Sequence, residues 1–231
     1  MTADEIVAEL RALGSARHLE GMAYFGIAST NTLGVSLPKI GALAKRAGRD
    51  HALATELWAT GIHEARILAA RVDDPAKVTK RQMDRWAADF DSWDVVDGCC
   101  GELFDKTPYA YDKALQWSHD RREYVKRAGF VLMATLAVHD KAAGDDAFLQ
   151  FLPIIEREAG DERNFVKKAV NWALRQIGKR NRALNRAAIK CGIRIRAAGT
   201  KSGRWIAADA LRELQGDAVQ ARLRSDRRLF R

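Results

Sequence analysis

A short segment of the chain recurs 41 residues later, and this recurrence constrains the fold more than any other feature. Residues 124–128 read Tyr-Val-Lys-Arg-Ala, and residues 165–169 read Phe-Val-Lys-Lys-Ala. A looser copy, His-Glu-Ala-Arg-Ile, occupies residues 63–67. Each copy opens an apolar stretch that is followed by a short turn and a second apolar stretch. The recurrence therefore predicts a chain built from similar units of two helices each.

The hydrophobic pattern predicts helices along the whole chain. Apolar residues recur at i, i+3, i+4 and i+7, and sustained period-two alternation is absent. Units of about 40 residues made of two helices are typical of HEAT-like repeats. We therefore predict an all-α fold, a HEAT-like α-solenoid of stacked antiparallel helix pairs with a concave basic groove. A coincidental echo in a helix-rich sequence is the alternative.

The length of the chain fits one large domain. With 231 residues, 47% of them hydrophobic, the chain can bury a sizeable core. We predict one HEAT-like domain over residues 1–231, with N-terminal helices in residues 1–30 and a basic tail in residues 220–231. No basic segment leads into an apolar one at the N-terminus, and no apolar run reaches about eighteen residues. We therefore expect neither secretion nor a membrane partner.

The charge of the chain is strongly polarised. Residues 163–231 contain 19 basic and 4 acidic side chains, whereas residues 1–162 contain 20 basic and 26 acidic ones. The overall charge of +9 therefore conceals a C-terminal third of +15. Such a concentration of positive charge predicts a polyanionic partner. We expect a cytoplasmic, nucleoid-associated monomer that binds DNA.

Cysteine and histidine give no sign of a metal site. The three cysteines are an odd number without the spacing of metal ligands, and two of them are adjacent. We therefore expect reduced cytoplasmic thiols. The five histidines are scattered singly along the chain. We therefore predict neither a metal ion nor another cofactor.

Trp93 and Asp97 form the most informative local pair. In a helix, residues i and i+4 share a face, so an indole and a carboxylate would meet the same ligand. A cationic or electron-poor group is the natural candidate. Asp94 lies in the first turn, where helices favour acids whatever their function, while Asp97 lies too deep to be a cap. Three other tryptophans are expected in the core, namely Trp58, Trp86 and Trp117.

If the repeats stack, basic side chains recur at equivalent positions of successive units. Arg127 and Lys168 would then form a ladder suited to the phosphates of a duplex, where binding weakens as salt rises. Lys126 and Lys167 precede them, and most lysines at such positions simply face the solvent. We keep both as candidate DNA contacts beside Arg127 and Lys168. The arginines near the C-terminus predict a loose basic tail.

These segments together resemble the AlkD-type DNA alkylation repair glycosylases. The resemblance rests on residues 93–97, on Arg127 and the helix that follows it, and on residues 168–175, and it covers about residues 30–180. It implies that Trp93 and Trp172 are active-site indoles and that Asp97 is the catalytic carboxylate. It also implies that Arg127 contacts the DNA backbone beside the lesion. The segment 168–175 adds Arg175 to the candidate DNA contacts.

The chemistry of alkylated purines agrees with this resemblance. A purine alkylated at N3 or N7 carries a positive charge, so it can leave without a general acid, and only the sugar needs stabilisation. A single carboxylate can supply that stabilisation and orient a water molecule. The resemblance therefore implies a monofunctional glycosylase of base excision repair. It would hydrolyse the N-glycosidic bond of 3-methyladenine and 7-methylguanine in duplex DNA, without a base-binding pocket.

Two other classes of function remain open from the sequence. A non-catalytic HEAT-repeat protein could bind damaged or branched DNA with the same surface, and a helical scaffold could bind proteins. Salt-sensitive duplex binding separates the scaffold from the other two. Base release that is lost on Asp97→Asn, with binding retained, separates the glycosylase from the DNA binder.

Overall fold

The computed structural model describes residues 1–27 and 31–225 of the chain. All regular elements in these residues are helices, and no β-strand occurs among them. The predicted all-α fold is therefore confirmed. Within the same residues, none of the helices combines the length and the apolarity needed to cross a membrane. The chain divides into two compact units, Met1–Tyr109 and Ala110–Arg231, and the single domain over residues 1–231 stays a prediction.

The first unit is organised around one buried helix. Its helices are α1 (Ala3–Ala12), α2 (Ala16–Tyr24), α3 (Leu37–Ala47), α4 (His51–Ala59), α5 (His63–Val72), α6 (Lys80–Ala88) and α7 (Trp93–Glu102), followed by a short 3-10 turn (Phe104–Lys106). Helix α5 packs against α1, α3, α4 and α7, and most of its side chains are buried. Any group on α5 is therefore held in a fixed place within this unit.

Short polar side chains begin most of these helices. Thr2, Ser15, Asp50 and Thr79 each accept a hydrogen bond from the backbone N–H three residues later. Glu5 completes a capping box by accepting from the N–H of Thr2. Such caps satisfy backbone donors that have no partner inside the helix, so they fix where each helix starts.

Large aromatic side chains fill the core of the first unit, as predicted for two tryptophans. The rings of Trp58 and Trp86 are stacked with their centroids 4.0 Å apart, and both are buried. Trp58 also donates its indole N–H to Asp89 at 2.9 Å, which satisfies the polar edge of the ring. In the second unit, Trp117 is buried as well, so the predicted core position of all three tryptophans is confirmed.

The second unit contains three helices that pack side by side. Its helices are α8 (Ala110–Trp117), α9 (Glu123–His139), α10 (Asp146–Leu149), α11 (Leu152–Glu158), α12 (Asn164–Gly178), α13 (Arg182–Ala197), α14 (Lys201–Gln215) and α15 (Asp217–Ser225). Helix α12 packs against α9 on one side and α14 on the other, while α8 covers α9 and α13 covers α12 and α14. This is the two-layer arrangement expected of stacked helix pairs.

The sequence echo corresponds to equivalent positions on adjacent helices. Tyr124 and Phe165 lie in the first turns of α9 and α12, and their ring centroids are 5.6 Å apart. Each helix is preceded by an Asp-x-Arg turn, in which the carboxylate accepts from the arginine's backbone N–H and its Nε. The two copies therefore fold alike and pack against each other, which makes coincidence an inadequate explanation.

The C-terminal segment differs from the predicted loose tail. Residues up to Ser225 continue as helix α15, because Val219 and Leu223 lie one turn apart and are both buried. Arg222 donates to the carbonyl of Lys179, the residue that follows α12. The part of the tail that the structure describes is thus a docked helix. Arg227, Arg228 and Arg231 lie outside the described residues.

Candidate active site and nucleic-acid interface

Helix α7 carries the pair that the sequence singled out. It begins at Trp93, so Asp97 follows one turn later, and both side chains are half-buried. The indole N–H of Trp93 donates to the carbonyl of Phe25, just after α2, at 3.0 Å. The helix predicted for these residues is confirmed. The catalytic role of Trp93 and Asp97 stays a prediction.

A histidine on α5 holds the first turn of α7 in place. His63 Nε2 lies 2.9 Å from Asp94 Oδ2, and the His63 side chain is fully buried. The other oxygen of Asp94 accepts from the hydroxyl of Ser92 and from the backbone N–H of Val95. Asp94 thus has the N-terminal helix role that the sequence suggested, and it also joins α7 to the central helix of the unit.

The two partners shift each other's ionisation. Burial alone would lower the pKa of His63, but the hydrogen bond and negative charge of Asp94 outweigh burial and raise it. Glu64 and Asp91 act in the same direction. Burial would raise the pKa of Asp94, whereas the hydrogen bond and charge of His63 outweigh burial and lower it. The pair therefore favours imidazolium and carboxylate together.

We expect this pair to make the first unit's stability depend on pH. A raised histidine pKa stabilises the folded state fully below about pH 6.5, and this stabilisation is lost as pH rises through the folded value. The lowered pKa of Asp94 stabilises the folded state above about pH 4, and this stabilisation is lost as the pH falls further. A tenfold gain in the proton affinity of His63 on folding corresponds to about 1.4 kcal/mol of stability.

The measurement is urea denaturation of wild type and His63→Gln between pH 6 and 9. Glutamine can still donate to Asp94 but cannot become charged. The difference in free energy of unfolding between wild type and His63→Gln should therefore shrink steadily with rising pH. An advantage that is constant over this range would show that His63 does not carry the charge in the folded state.

The residue next to His63 fixes the loop before α3. The Glu64 carboxylate is 0% exposed and accepts from the backbone N–H groups of Leu33, Gly34 and Val35 at 2.7–3.2 Å. Gly34 has a positive φ of 78°, and a Cβ there would lie 2.3 Å from the carbonyl oxygen of Ser15. Only glycine fits at this position of the turn. Glu64 accepts hydrogen bonds from the backbone N–H groups that the turn leaves buried.

A cavity of about 370 Å³ lies beside Trp93 in the first unit. Its walls come from α2, from residues 25, 27 and 35, and from the N-terminal parts of α3, α5 and α7. Phe25, Leu37 and Ile67 supply apolar wall, and His63 and Asp94 supply the polar groups. Trp93 and Asp94 of α7 line this cavity. Base release without a pocket, which the resemblance implied, stays a prediction.

In the second unit, Arg127 lies inside the protein. Its side chain is only 6% exposed, and its Nη1 donates to the carbonyl of Phe165 at 2.7 Å. The guanidinium therefore joins the N-terminal part of α9 to the first turn of α12. The sequence suggested that Arg127 contacts a phosphate, which would need an exposed guanidinium. This role stays a prediction, and it requires the side chain to move.

Lys126 and Lys167 also have protein partners. Lys126 lies 2.7 Å from Glu158 and 3.4 Å from Asp161, with a side chain that is mostly buried. Although burial opposes ionisation, the hydrogen bonds from Lys126 and Arg157 lower the pKa of Glu158, so that carboxylate stays charged. Lys167 lies over the ring of Trp205 at 5.3 Å. The prediction that both lysines face the solvent is thus wrong for Lys126, which is paired with two acids. Its local sequence gave no sign of these partners, because they lie more than thirty residues away.

Helix α12 carries the remaining candidates on one stripe. Lys168, Trp172 and Arg175 follow at i, i+4 and i+7, which places them on one face. Lys168 is exposed and Trp172 is half-buried. Arg175 pairs with Glu213 and, at 3.1 Å, with Asp209, both on α14. Within the second unit, Lys168 is therefore the best-exposed candidate for a phosphate contact.

The predicted site residues thus fall into two groups. Trp93 and Asp97 share α7 in the first unit, while the others lie on α9 and α12 of the second unit. The convergence of the two groups in one cleft stays a prediction. Sequence reasoning missed the pairing of His63 with Asp94 and the role of Glu64. The only signal for them was the loose third copy of the repeat, in which His63 occupies the aromatic position.

Comparison with known proteins places the chain in a family. The sequence profile of the family described as DNA alkylation repair enzyme matches residues 6–214, nearly the whole chain, so the protein belongs to that family. The predicted family is therefore confirmed. The comparison with curated proteins found no match.

One solved structure is similar to the fold. It was reported as "A new family of proteins related to the HEAT-like repeat DNA glycosylases with affinity for branched DNA structures". The TM-score is 0.75 with 22% sequence identity, over 84% of this chain and 83% of that chain. This similarity confirms the predicted HEAT-like fold, while the predicted concave basic groove stays a prediction.

Proposed function

We propose that the protein is a monofunctional DNA glycosylase that removes cationic N3- and N7-alkylpurines from duplex DNA. Its substrates would include 3-methyladenine and 7-methylguanine, and its products a free base and an abasic site for base excision repair. The observation that carries the proposal is the placement of Trp93 and Asp97 one turn apart on α7, in a chain that belongs to the DNA alkylation repair enzyme family.

The reaction needs little from the protein beyond charge and position. The alkylated base already carries a positive charge, so its bond to the sugar breaks without a proton donor. As this bond lengthens, its electron pair moves onto the base, which leaves neutral, and positive charge grows on the deoxyribose. The Asp97 carboxylate stabilises that charge and orients a water molecule, whose oxygen bonds to the sugar and whose proton passes to the carboxylate or to solvent. Trp93 and Trp172 would flank the sugar and each contribute about 0.5–2 kcal/mol through their ring faces. No metal or other cofactor has a role in this proposal.

DNA binding is supported by the positive charge of the second unit. Lys168 is the proposed primary phosphate contact because it is exposed on the same face as Trp172. Lys126, Lys167, Arg127 and Arg175 remain secondary candidates, because each has a partner within the protein that a phosphate would have to replace. We further propose that the protein acts as a monomer in the cytoplasm, associated with the nucleoid.

The direct test is incubation of the protein with methylated duplex DNA and chromatography of the released bases. The proposal predicts free 3-methyladenine and 7-methylguanine above the spontaneous rate. A duplex containing uracil, a neutral lesion, serves as the control and should release nothing, because selectivity comes from the charge of the leaving base. Release of the neutral base, or of no base at all, would contradict the proposal.

The second candidate is a non-catalytic protein that binds damaged or branched DNA. It is favoured by the similarity of the fold to the protein reported to have affinity for branched DNA structures. This candidate predicts tighter binding to a branched junction than to a duplex of equal length, at equal salt, without release of any base. Binding of both DNA forms should weaken as salt rises, whichever candidate is correct.

A further inference from the structure

Trp205 on α14 is the one exposed aromatic residue among the described residues of the second unit. It is 42% exposed, whereas Trp117 is buried and Trp172 is half-buried. A single exposed apolar side chain is ordinary on a protein surface. Any inference about Trp205 therefore depends on its position and on the charges around it.

Trp205 occupies the position on α14 that Lys168 occupies on α12. The buried residues of the two helices have the same spacing, shifted by 37 residues, and they are Ala169, Val170, Ala173, Leu174 and Ile177 on α12 and Ile206, Ala207, Ala210, Leu211 and Leu214 on α14. The same shift relates Lys168 to Trp205, and the sequence repeat relates Arg127 to Lys168. Three neighbouring helices thus have Arg127, Lys168 and Trp205 at equivalent positions, so the third has a flat ring where the first two have a cation.

A lysine of α12 lies over this ring. Lys167 Nζ is 5.3 Å from the ring centroid of Trp205, a distance at which an ammonium is attracted to an aromatic face. Arg175 and Asp209, 3.1 Å apart, join the same two helices further along. The indole and a positive charge are therefore presented together on α12 and α14.

The surface around Trp205 is basic. Four basic residues of α12 and α14 are exposed, namely Lys168, Lys201, Arg204 and Arg212. Lys201, Trp205 and Arg212 follow at i, i+4 and i+11 along α14, which places them on one face. Asp209 also lies on this face, where Arg175 and Arg212 both pair with it. The face therefore has a net positive charge around its exposed ring.

Exposed cations around an aromatic ring are the combination that binds single-stranded nucleic acid. The cations contact the phosphates, and the ring stacks on a base, since every base has a flat π face. A duplex keeps its base faces inside its own stack and presents mainly phosphates, sugars and base edges. A row of cations alone would suit a duplex, whereas the ring of Trp205 favours a strand whose bases are already unpaired.

We propose that Trp205 and the exposed cations around it form a binding site for single-stranded DNA, in which an unpaired base stacks on the indole. Lys168, Lys201 and Arg212 contact the phosphates on either side of that base. The site accepts a strand that is already unpaired, as at an overhang or a gap, and opens no base pair. This inference goes beyond the proposed glycosylase and needs no base release.

The test is the affinity of the protein for a labelled oligothymidylate of about twelve nucleotides, measured by fluorescence anisotropy beside a duplex of the same length. Trp205→Ala should weaken oligothymidylate binding about tenfold, because stacking of one base is lost. Its duplex affinity should change by no more than about twofold, because phosphate contacts remain. Trp205→Phe keeps an aromatic face and should bind both forms nearly as wild type does.

A matched control comes from the other layer of the unit. Ile193 on α13 is 44% exposed, so Ile193→Ala removes an apolar side chain of nearly equal exposure. It should leave both affinities unchanged. Since Trp205 and Ile193 are both exposed, the fold should survive in every variant.

Direct stacking also has a spectroscopic signature. A base stacked on an indole quenches its fluorescence, so saturating unlabelled oligothymidylate should quench wild type clearly and Trp205→Phe much less, although both bind. Three results would each overturn the proposal: no oligothymidylate binding by wild type, equal loss of single-strand and duplex affinity in Trp205→Ala, or equal quenching of wild type and Trp205→Phe.

Oligothymidylate contains no purine, so this proposal and the proposed glycosylase fail separately. A protein that binds oligothymidylate through Trp205 but releases no methylpurine contradicts only the glycosylase. One that releases methylpurines but does not bind oligothymidylate contradicts only the single-strand site.

Discussion

Asp97→Asn is expected to lower the release of 7-methylguanine from duplex DNA by about 100-fold or more, with duplex affinity unchanged. Asparagine keeps the size of the side chain but removes the charge that stabilises the sugar as its bond to the base lengthens. Removal of one electrostatic group that acts in the transition state typically costs about 100- to 1000-fold in rate. Binding depends instead on contacts to phosphates, which this substitution leaves in place.

The matched control is Glu102→Gln at the other end of the same helix. Glu102 ends α7 and forms a surface ion pair with Arg71 at 3.4 Å. The substitution makes the same change of charge on the same helix without touching Asp97. Release should therefore stay close to wild type. Equal loss in both variants would mean that net charge, rather than the position of Asp97, controls the rate.

Glu64→Ala is expected to lower the free energy of unfolding of the protein by about 3 kcal/mol or more, at about 1–3 kcal/mol for each buried donor left without an acceptor. The carboxylate is fully buried and serves the backbone N–H groups of three consecutive residues in the turn before α3. Its removal leaves these donors inside the protein without an acceptor, and each such donor is costly. The turn also borders the cavity through Val35, so the variant should loosen that wall.

Urea denaturation at neutral pH measures this effect, and two variants calibrate it. Glu64→Gln keeps an acceptor oxygen of the same size but turns an amide N–H₂ toward backbone donors, so its loss should be intermediate. Glu56→Ala removes an exposed carboxylate on α4 and should change stability by no more than about 0.5 kcal/mol. A loss of stability in Glu64→Ala no larger than that in Glu56→Ala would show that Glu64 does not hold the turn.

The fold could be predicted from the sequence because its main signals are local. Helical periodicity is visible within one short segment, and the repeat consists of two five-residue segments, 124–128 and 165–169. The structure places these two copies on adjacent helices. The placement of Trp93 and Asp97 one turn apart on α7 was predictable for the same reason, since it depends only on a local helix. The docked helix α15 was not predicted, because the buried positions of Val219 and Leu223 depend on packing.

The polar network of the site could not be predicted because its partners are far apart in sequence. The sequence indicates a helix-start acid at Asp94, but nothing in its neighbourhood indicates His63, which lies 31 residues earlier. The local sequence predicts that Lys126 faces the solvent, since its partner Glu158 lies 32 residues away. A sequence shows the charge of a side chain, whereas its partner and burial depend on which helices pack together.

Glycosylase activity is best measured on a duplex that contains a single 7-methylguanine, bound to saturation by wild-type protein. The measurement is the rate at which free base and abasic site appear together, compared with the same duplex without protein. We predict equal amounts of both products, formed well above the spontaneous rate. Saturated binding with release only at the spontaneous rate would contradict a glycosylase and leave a protein that binds damaged DNA without acting on it.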